Sequence, residues 1–353
     1  MNIRELQSVL QPNQAALIVS EYNRRYLTGF NATNGYLIVT HNGSVFITDS
    51  RYIEDAERIV TDARVVLQKQ LYQQIEQIMR EFGASEVLVE VGQTSIQTYS
   101  LYRKVLHEFS FNATNRLDIA IAELREQKLP EEIRKMQEAQ RIAEVGFNET
   151  LPFIKVGVTE RDVATELIYR MRKNGADGES FDTIVVSGEY SSKPHGVPGD
   201  RVIADGDFVT IDFGALYEGY HSDTTRTLAV GHVTEEMANV YNTVLKAQEA
   251  GCRALKPGLT ASEYDGIARK IIDDAGYGEY FGHSLGHGVG IEIHEQPFCG
   301  PGSKGILKEG NVVSCEPGIY LPGKFGVRIE DMLEVTADGS MNFCSLPKEL
   351  TVL

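Results

Sequence analysis

The sequence predicts an α+β protein of two domains: a smaller α/β domain over residues 1–120 and a larger one over 121–353 with an internal pseudo-two-fold repeat. The chain has 353 residues, enough for two domains with sizeable cores. Its first third alternates short β-rich runs with a helical stretch, as βαβ units do. The remainder repeats itself, because GDFVTIDFG at 206–214 returns position for position as GNVVSCEPG at 310–318.

In the first domain the apolar run 15–19 (AALIV) reads as a short buried strand. Runs 36–40 (YLIVT) and 44–48 (SVFIT) flank His41-Asn42-Gly43, and Asn-Gly between two such runs signals a hairpin. A helix is expected over 50–59, with Ile53, Ala56 and Ile59 on one face. Residues 86–90 (EVLVE) read as another strand. No cluster of chemistry-bearing residues stands here, and Asp49 with Arg51 reads as a structural turn pair.

The polar stretch 117–130 is the expected joint. Pro130 suits the first position of a helix, with Glu131 and Glu132 in its first turn. Ile133, Met136, Ile142, Ala143 and Phe147 then recur at helical spacing as a core stripe. KVGVT at 155–159 matches KPGLT at 256–260, and each leads into a helix. Thr159 with Asp162, and Thr260 with Glu263, are placed to cap those helices reciprocally. Val163, Leu167 and Met171 line one helix; Tyr264, Ile267, Ile271 and Ile272 line the other. Each stops at a glycine, Gly175 or Gly276. GESF at 178–181 then matches GEYF at 278–281. Two copies are too few for a solenoid. They imply one domain in which two helix pairs cover a curved sheet, with a site where the halves meet.

Each copy ends in a hairpin with a carboxylate on each arm. In the first, 208–211 and 224–228 are β-rich and 216–219 (LYEG) makes the turn. A tight turn centred between 217 and 218 sets Asp212 opposite Asp223, with Cβ atoms about 4.5–5.5 Å apart. In the second, a turn at 322–324 (PGK) sets Glu316 opposite Glu330, and Glu316 falls where Asp212 falls in the repeat. Carboxylates that close repel unless a proton or a cation lies between them. One acidic hairpin can leave both acids in water; two related ones point to a cation site, and to two cations.

Histidine is the usual nitrogen partner of such a site. His195 stands in Pro194-His195-Gly196, His283 and His287 in GHSLGHG at 282–288, and His294 in IEIHE at 291–295. Glycines at 282, 286, 288 and 290 exclude the helix that a zincin-type pair at 283 and 287 would need. GHGVG at 286–290 also lacks the full dinucleotide-binding pattern. Four carboxylates with one or two imidazoles suit Mn²⁺, with Co²⁺, Zn²⁺ or Fe²⁺ as alternatives. The imidazole argues against a structural Ca²⁺ site. Two such ions would activate water and polarise a carbonyl, which is hydrolytic chemistry with an amide among the candidate bonds.

The formal net charge of −16 argues against a nucleic-acid partner and against an anionic membrane surface. Residues 1–7 (MNIRELQ) lack the apolar core of a signal peptide, and no apolar run is long enough to span a bilayer. Cys252, Cys299, Cys315 and Cys344 show no C-x-x-C pairing and read as free thiols of the cytoplasm. Cys315 neighbours Glu316, but in a strand it points to the opposite face and reads as core.

The order Asp212, Asp223, His287, Glu316, Glu330 resembles the ligand set of the pita-bread metallopeptidases. So do PHG (194–196), IDFGALYEGYHSDTTRT (211–227), FGHSLGHGVGIEIHEQP (281–297), EPGIYLPG (316–323) and GVRIED (326–331). That group includes methionine aminopeptidase, aminopeptidase P, prolidase and the metal-free creatinase. RYLTGF at 25–30 with TDSRY at 48–52 resembles the creatinase-type first domain, which ordinary methionine aminopeptidases lack. The resemblance implies a creatinase-like domain over 1–120 and a pita-bread catalytic domain over 121–353. It implies that Asp212 holds one metal ion, that Asp223 and Glu330 bridge two, and that His287 and Glu316 hold the other. Glu316 would then be the general base. His195 and His294 would steady the substrate carbonyl or the tetrahedral intermediate, and His283 and Arg328 would line the substrate site. The implied activity is that of an Xaa-Pro aminopeptidase acting on proline-containing peptides, with a dipeptide-only prolidase as the alternative and a homodimer as the expected assembly. A bond before proline has no N–H for a strand ladder to grip, so direct activation of water and carbonyl suits it. All five ligand positions are filled, against a binding module that has lost turnover.

Overall fold

The computed structural model describes residues 2–353. The chain forms two compact units, Met1–Arg125 and Glu126–Leu353. Most of the stretch expected as a polar joint is helical: α6 (Arg116–Glu126) runs through it, and only residues 127–129 separate it from the next helix. Leu117 and Ile121 are buried, which explains why a mostly polar run is ordered.

The first unit is a mixed six-stranded sheet in the order β4-β3-β2-β1-β5-β6. The strands are β1 (Gln14–Ile18), β2 (Tyr36–Thr40), β3 (Gly43–Thr48), β4 (Arg64–Leu67), β5 (Glu86–Val89) and β6 (Ser110–Asn112). Its helices are α1 (Asn2–Val9), α2 (Glu21–Thr28), α3 (Ile53–Ile59), α4 (Leu71–Glu81) and α5 (Ile96–Val105), followed by α6. β1 pairs antiparallel with β2 and parallel with β5. Ala15, Leu17, Ile38, Val45, Ile47 and Val87 pack against Ile75, Ile78 and Met79 of α4. The β2–β3 hairpin turns through His41-Asn42, with Thr40 facing Gly43. Helix α3 begins only at Ile53, because Asp49 and Arg51 hold the preceding turn: Asp49 accepts the Arg51 backbone N–H at 2.9 Å and pairs with its guanidinium at 2.6 Å.

The second unit opens with α7 (Pro130–Thr150) and α8 (Glu160–Lys173). Short strand β7 (Gly178–Glu179) precedes β8 (Ile184–Ser187), β9 (Asp207–Phe213), β10 (Ala215–Tyr217), β11 (Tyr220–His221) and β12 (Thr224–Val230). The second half repeats the plan with α9 (Glu235–Ala254), α10 (Ala261–Asp274), β13 (Gly286–Gly288), β14 (Glu295–Cys299), β15 (Val312–Cys315), β16 (Gly318–Leu321), β17 (Phe325–Arg328), β18 (Asp331–Val335) and β19 (Ser340–Asn342). The caps read from sequence form. Thr159 Oγ1 accepts the Asp162 N–H at 3.1 Å, and Thr260 with Glu263 makes the full reciprocal pair. Gly175 and Gly276 leave both helices at φ +109° and +83°, where a β-carbon would strain the backbone.

Each helix pair buries one hairpin. Ile142, Phe147, Val163, Leu167 and Met171 pack on Val209, Ile211, Phe213 and Leu228. Val240, Tyr241, Val244, Tyr264 and Ile272 pack on Phe208, Val313, Cys315, Ile319 and Leu333. Cys315 is fully buried there, a core residue facing away from its acidic neighbour.

The hairpin registers differ from expectation in one place. The first turn is centred one residue later, between Glu218 and Gly219, with Tyr217 facing Tyr220. Glu218 and Gly219 adopt φ +44° and +79°, the left-handed pair of a type I′ turn. Asp212 therefore faces Thr225, not Asp223. Asp223 lies two residues further along the same face, a diagonal neighbour rather than a direct one. The second hairpin follows its expected register. Gly318 faces Arg328 and Cys315 faces Asp331, and this pairing places Glu316 opposite Glu330.

Candidate metal centre

β9, β12, β13 and the junctions of β15–β16 and β17–β18 bring the acids and imidazoles to one cavity of about 670 Å³. Asp212, Asp223, His287, Glu316 and Glu330 all line it, as do His195, His283, His294 and Arg328. Asp223, His287 and Glu330 each offer a ligand atom within 4.8 Å of the others. Glu316 Oε1 lies 3.3 Å from His287 Nε2 and also accepts the Ser314 hydroxyl at 3.2 Å. Asp212 Oδ2 accepts from Arg328 at 2.7 Å, while its Oδ1 is buried with no hydrogen-bond partner.

That donor set fits a divalent cation. An orphaned buried carboxylate oxygen is costly unless something positive meets it. Burial, then repulsion from Asp212, pushes the Asp223 carboxyl well above the usual range. Burial, then repulsion from Asp223, does the same to Glu330. Thr225 donates to Glu330 Oε2 at 2.7 Å. The His287 Nδ1–H points at the Gly288 carbonyl at 3.1 Å, since a carbonyl can only accept. That leaves Nε2 facing the acids, the nitrogen a cation would take in place of the proton it shares with Glu316. Burial alone would lower the His287 pKa, but Glu316 and Asp223 outweigh it and raise it to about 9. Burial would likewise raise Glu316, yet the His287 contact takes it down to about 2.

The glycines around His287 have a packing reason. A β-carbon at Gly286 would lie 2.1 Å from the Ser314 carbonyl oxygen, and one at Gly288 would lie 2.2 Å from that of Gln296. Only glycine lets β13 run so close to its neighbours. The segment is extended, as the rejection of a helical zinc pair requires.

His283 and Arg328 are committed within the protein. His283 Nδ1 donates to Ser284 O at 2.8 Å, so Nε2 accepts from the Tyr320 hydroxyl at 2.9 Å. Burial holds that ring below the usual histidine range. His283 thus presents ring surface to the cavity rather than a free N–H. Arg328 donates to Tyr320 at 2.8 Å, to Thr225 at 3.0 Å and to Pro194 O at 3.3 Å, besides Asp212. The His294 ring meets the His287 ring edge-on, with centroids 4.3 Å apart, and burial followed by the His287 charge lowers its pKa. His195 lines the same cavity.

Sequence reasoning missed Tyr320 and Thr225. Tyr320 shares the face of Glu316 by strand alternation, a signal that was present. Thr225 was hidden by the one-residue error in the turn centre.

A carboxylate-rich, histidine-completed cluster lining a cavity of this size defines a metal-dependent hydrolase. Residues 134–337 match metallopeptidase family M24, and residues 9–127 match the creatinase/prolidase N-terminal domain. The chain belongs to family M24 and is a metallopeptidase. It is 42% identical over 338 residues to the uncharacterised peptidase YqhT of Bacillus subtilis strain 168, covering 96% of this chain and 95% of that protein. It superposes on an Xaa-Pro dipeptidase from Bacillus anthracis with a TM-score of 0.96, 40% identity and 99% of each chain covered. An X-Pro aminopeptidase from Thermotoga maritima MSB8 gives a TM-score of 0.91 and 34% identity, over 100% of this chain and 99% of that one. These matches show the α+β frame of a creatinase-like first domain and a pita-bread second domain.

Proposed function

We propose that this metallopeptidase hydrolyses Xaa-Pro dipeptides and releases free proline. The observation that carries this reading is the cavity itself, which the acid–imidazole cluster shares with the apolar side chains of Phe181, Ile184, Pro194, Ile293 and Phe298. Such apolar lining suits a pyrrolidine ring. The solved dipeptidase is nearer in fold and sequence than the solved aminopeptidase, which favours the dipeptide over longer chains. Removal of an N-terminal residue from longer Xaa-Pro peptides is favoured by a different observation. The Arg328 guanidinium is already engaged, and no other Lys or Arg lines the cavity among the described residues. No free cationic side chain there is offered to a substrate's terminal carboxylate.

Asp212 would help hold one ion and His287 with Glu316 the other, with Asp223 and Glu330 shared between the two; the oxygen-rich set favours Mn²⁺. When bound, the metal supplies an activated water and a polarised carbonyl. Glu316, held ionised, accepts the proton. His195 and His294, which both line the cavity, donate hydrogen bonds to the substrate carbonyl. Free thiols support a cytoplasmic setting, and no helix among the described residues is long and apolar enough to cross a membrane. The homodimer rests on the family resemblance, and sedimentation would read it.

The deciding assay strips the metal, restores Mn²⁺, Co²⁺ or Zn²⁺ in turn, and compares Xaa-Pro with Xaa-Pro-Yaa. Cleavage of the dipeptide with the tripeptide about tenfold slower or worse, a difference of ~1.4 kcal/mol in the barrier, is the expected result. Equal or faster tripeptide cleavage transfers the assignment to the aminopeptidase, and no cleavage of either removes both. A second expectation concerns protons. Asp223 and Glu330 hold their protons above the usual carboxylate range, and a cation must displace them. Metal affinity should therefore fall as pH drops through those raised values, with proton release measurable by calorimetry in buffers of different ionisation enthalpy. A pH-independent affinity between pH 5 and 8 (roughly the window of maximal stability) would contradict it.

A further inference from the structure

The Lys128 side chain is 1% exposed, and its Nζ sits 2.6 Å from Oε1 of Glu295, whose side chain is 6% exposed. A buried pair of this kind is weak evidence for stability, since apolar residues of matching shape often serve as well or better. Its position suggests what it does. Glu295 directly follows His294 and faces Gly288 across the β13–β14 ladder, where Gly288 directly follows His287. Its carboxylate folds back over the loop between the strands. It accepts the Glu292 N–H at 3.4 Å and packs on Gly290 so closely that a β-carbon there would lie 2.4 Å from it. Lys128 is itself fixed by its backbone: its N–H donates to Gly310 O at 2.8 Å, and Asn311 Nδ2 donates to the neighbouring Glu126 carbonyl at 2.9 Å. Residues 310–311 lead directly into β15, which ends beside Glu316. Lys128 thus ties the strand that carries Glu316 to the loop that carries His294.

We infer that Lys128 is a positioning residue which, through Glu295, fixes His294 over the acid–imidazole cluster. The inference rests on the role proposed above for His294. A displacement of about 1 Å at a positioned group can cost on the order of 10²-fold in rate, so a buried clamp one residue away has a kinetic consequence out of proportion to its energy. Lys128 does not line the cavity, and its ion-pair partner Glu295 adjoins His294, so the proposed route from Lys128 to His294 runs through Glu295.

The test is a double-mutant cycle on the full chain loaded with Mn²⁺, using an Xaa-Pro dipeptide. Lys128→Met is expected to lower kcat by about tenfold or more, with KM and bound metal little changed. Lys128→Arg should restore most of the loss. In a His294→Ala background, Lys128→Met should have almost no further effect on kcat. An equal fold-loss in both backgrounds, or a loss that tracks metal content, would overturn the inference. Unchanged kcat in Lys128→Met would overturn it as well. If Lys128→Met fails to fold, Glu295→Gln keeps the side-chain shape and enters the same cycle with the same expected outcomes. Full activity in His294→Ala alone would remove the role of His294 and the clamp with it; an impaired His294→Ala with additive Lys128 effects removes the clamp alone.

Discussion

Asp223→Asn should abolish turnover and leave the fold intact, and Glu330→Gln should do the same. Both carboxylates lie within 4.8 Å of His287 and each other. Each is pushed up by burial and by its acidic neighbours, so the neutral amide replaces a group that already resists ionisation. Thermal stability should stay level or rise slightly as repulsion is relieved. Catalysis should not survive, because the amide cannot serve as an anionic ligand. Metal-ion catalysis is worth several kcal/mol, so a loss of about 10³-fold or more, ~4 kcal/mol in the barrier, is expected. Kinetics with metal analysis and a melting curve would check it. Wild-type kcat in either purified variant would exclude that residue from the centre.

Arg226→Met should be the most destabilising single change at the back of the site. Arg226 is 1% exposed and forms a buried pair with Asp331 at 2.8 Å. Its guanidinium also donates to the carbonyls of Thr225, Glu330, Leu346 and Pro347, which binds the C-terminal segment to the hairpins. Burial would raise the Asp331 pKa, but Arg226, then Lys348, outweigh it and take it down to about 2. Removing the arginine strands part of that charge in the core. Breaking a buried pair costs about 3–5 kcal/mol. At roughly 2–4 °C per kcal/mol for a unit of this size, Tm should fall by on the order of 10 °C. Because Asp331 follows Glu330 in the chain, metal affinity should fall too. A shift under about 2 °C, less than 1 kcal/mol by the same scaling, would mean that Lys348, Gln248 and Asn342 satisfy Asp331 by themselves.

Much of the centre is local, and local chemistry is legible in a sequence. Strand alternation within 206–214 and 310–318, the caps at Thr159 and Thr260, and the glycine stops at 175 and 276 each depend on residues a few positions apart. The second hairpin could be registered from its turn at Gly323, because the left-handed residue of that turn, at φ +71°, is a glycine, which composition does announce. The first could not. Its turn uses Glu218 at φ +44°, a conformation few residue types adopt and composition does not announce. That one residue moved the partner of Asp212 from Asp223 to Thr225.

The sequence by itself determined the doubled hairpin frame, the set of acids and imidazoles, and the family they resemble. Tertiary structure alone decided which atoms of those residues remain available. It engaged both nitrogens of His283, through Ser284 and Tyr320, and directed Arg328 to Asp212. It left Asp212 Oδ1 without a partner and joined Lys128 to Glu295 across 167 positions of chain. The reason is physical. Alternation and capping are set by backbone geometry over a few residues, whereas a hydrogen-bond partner far along the chain exists only once packing has brought the two elements together.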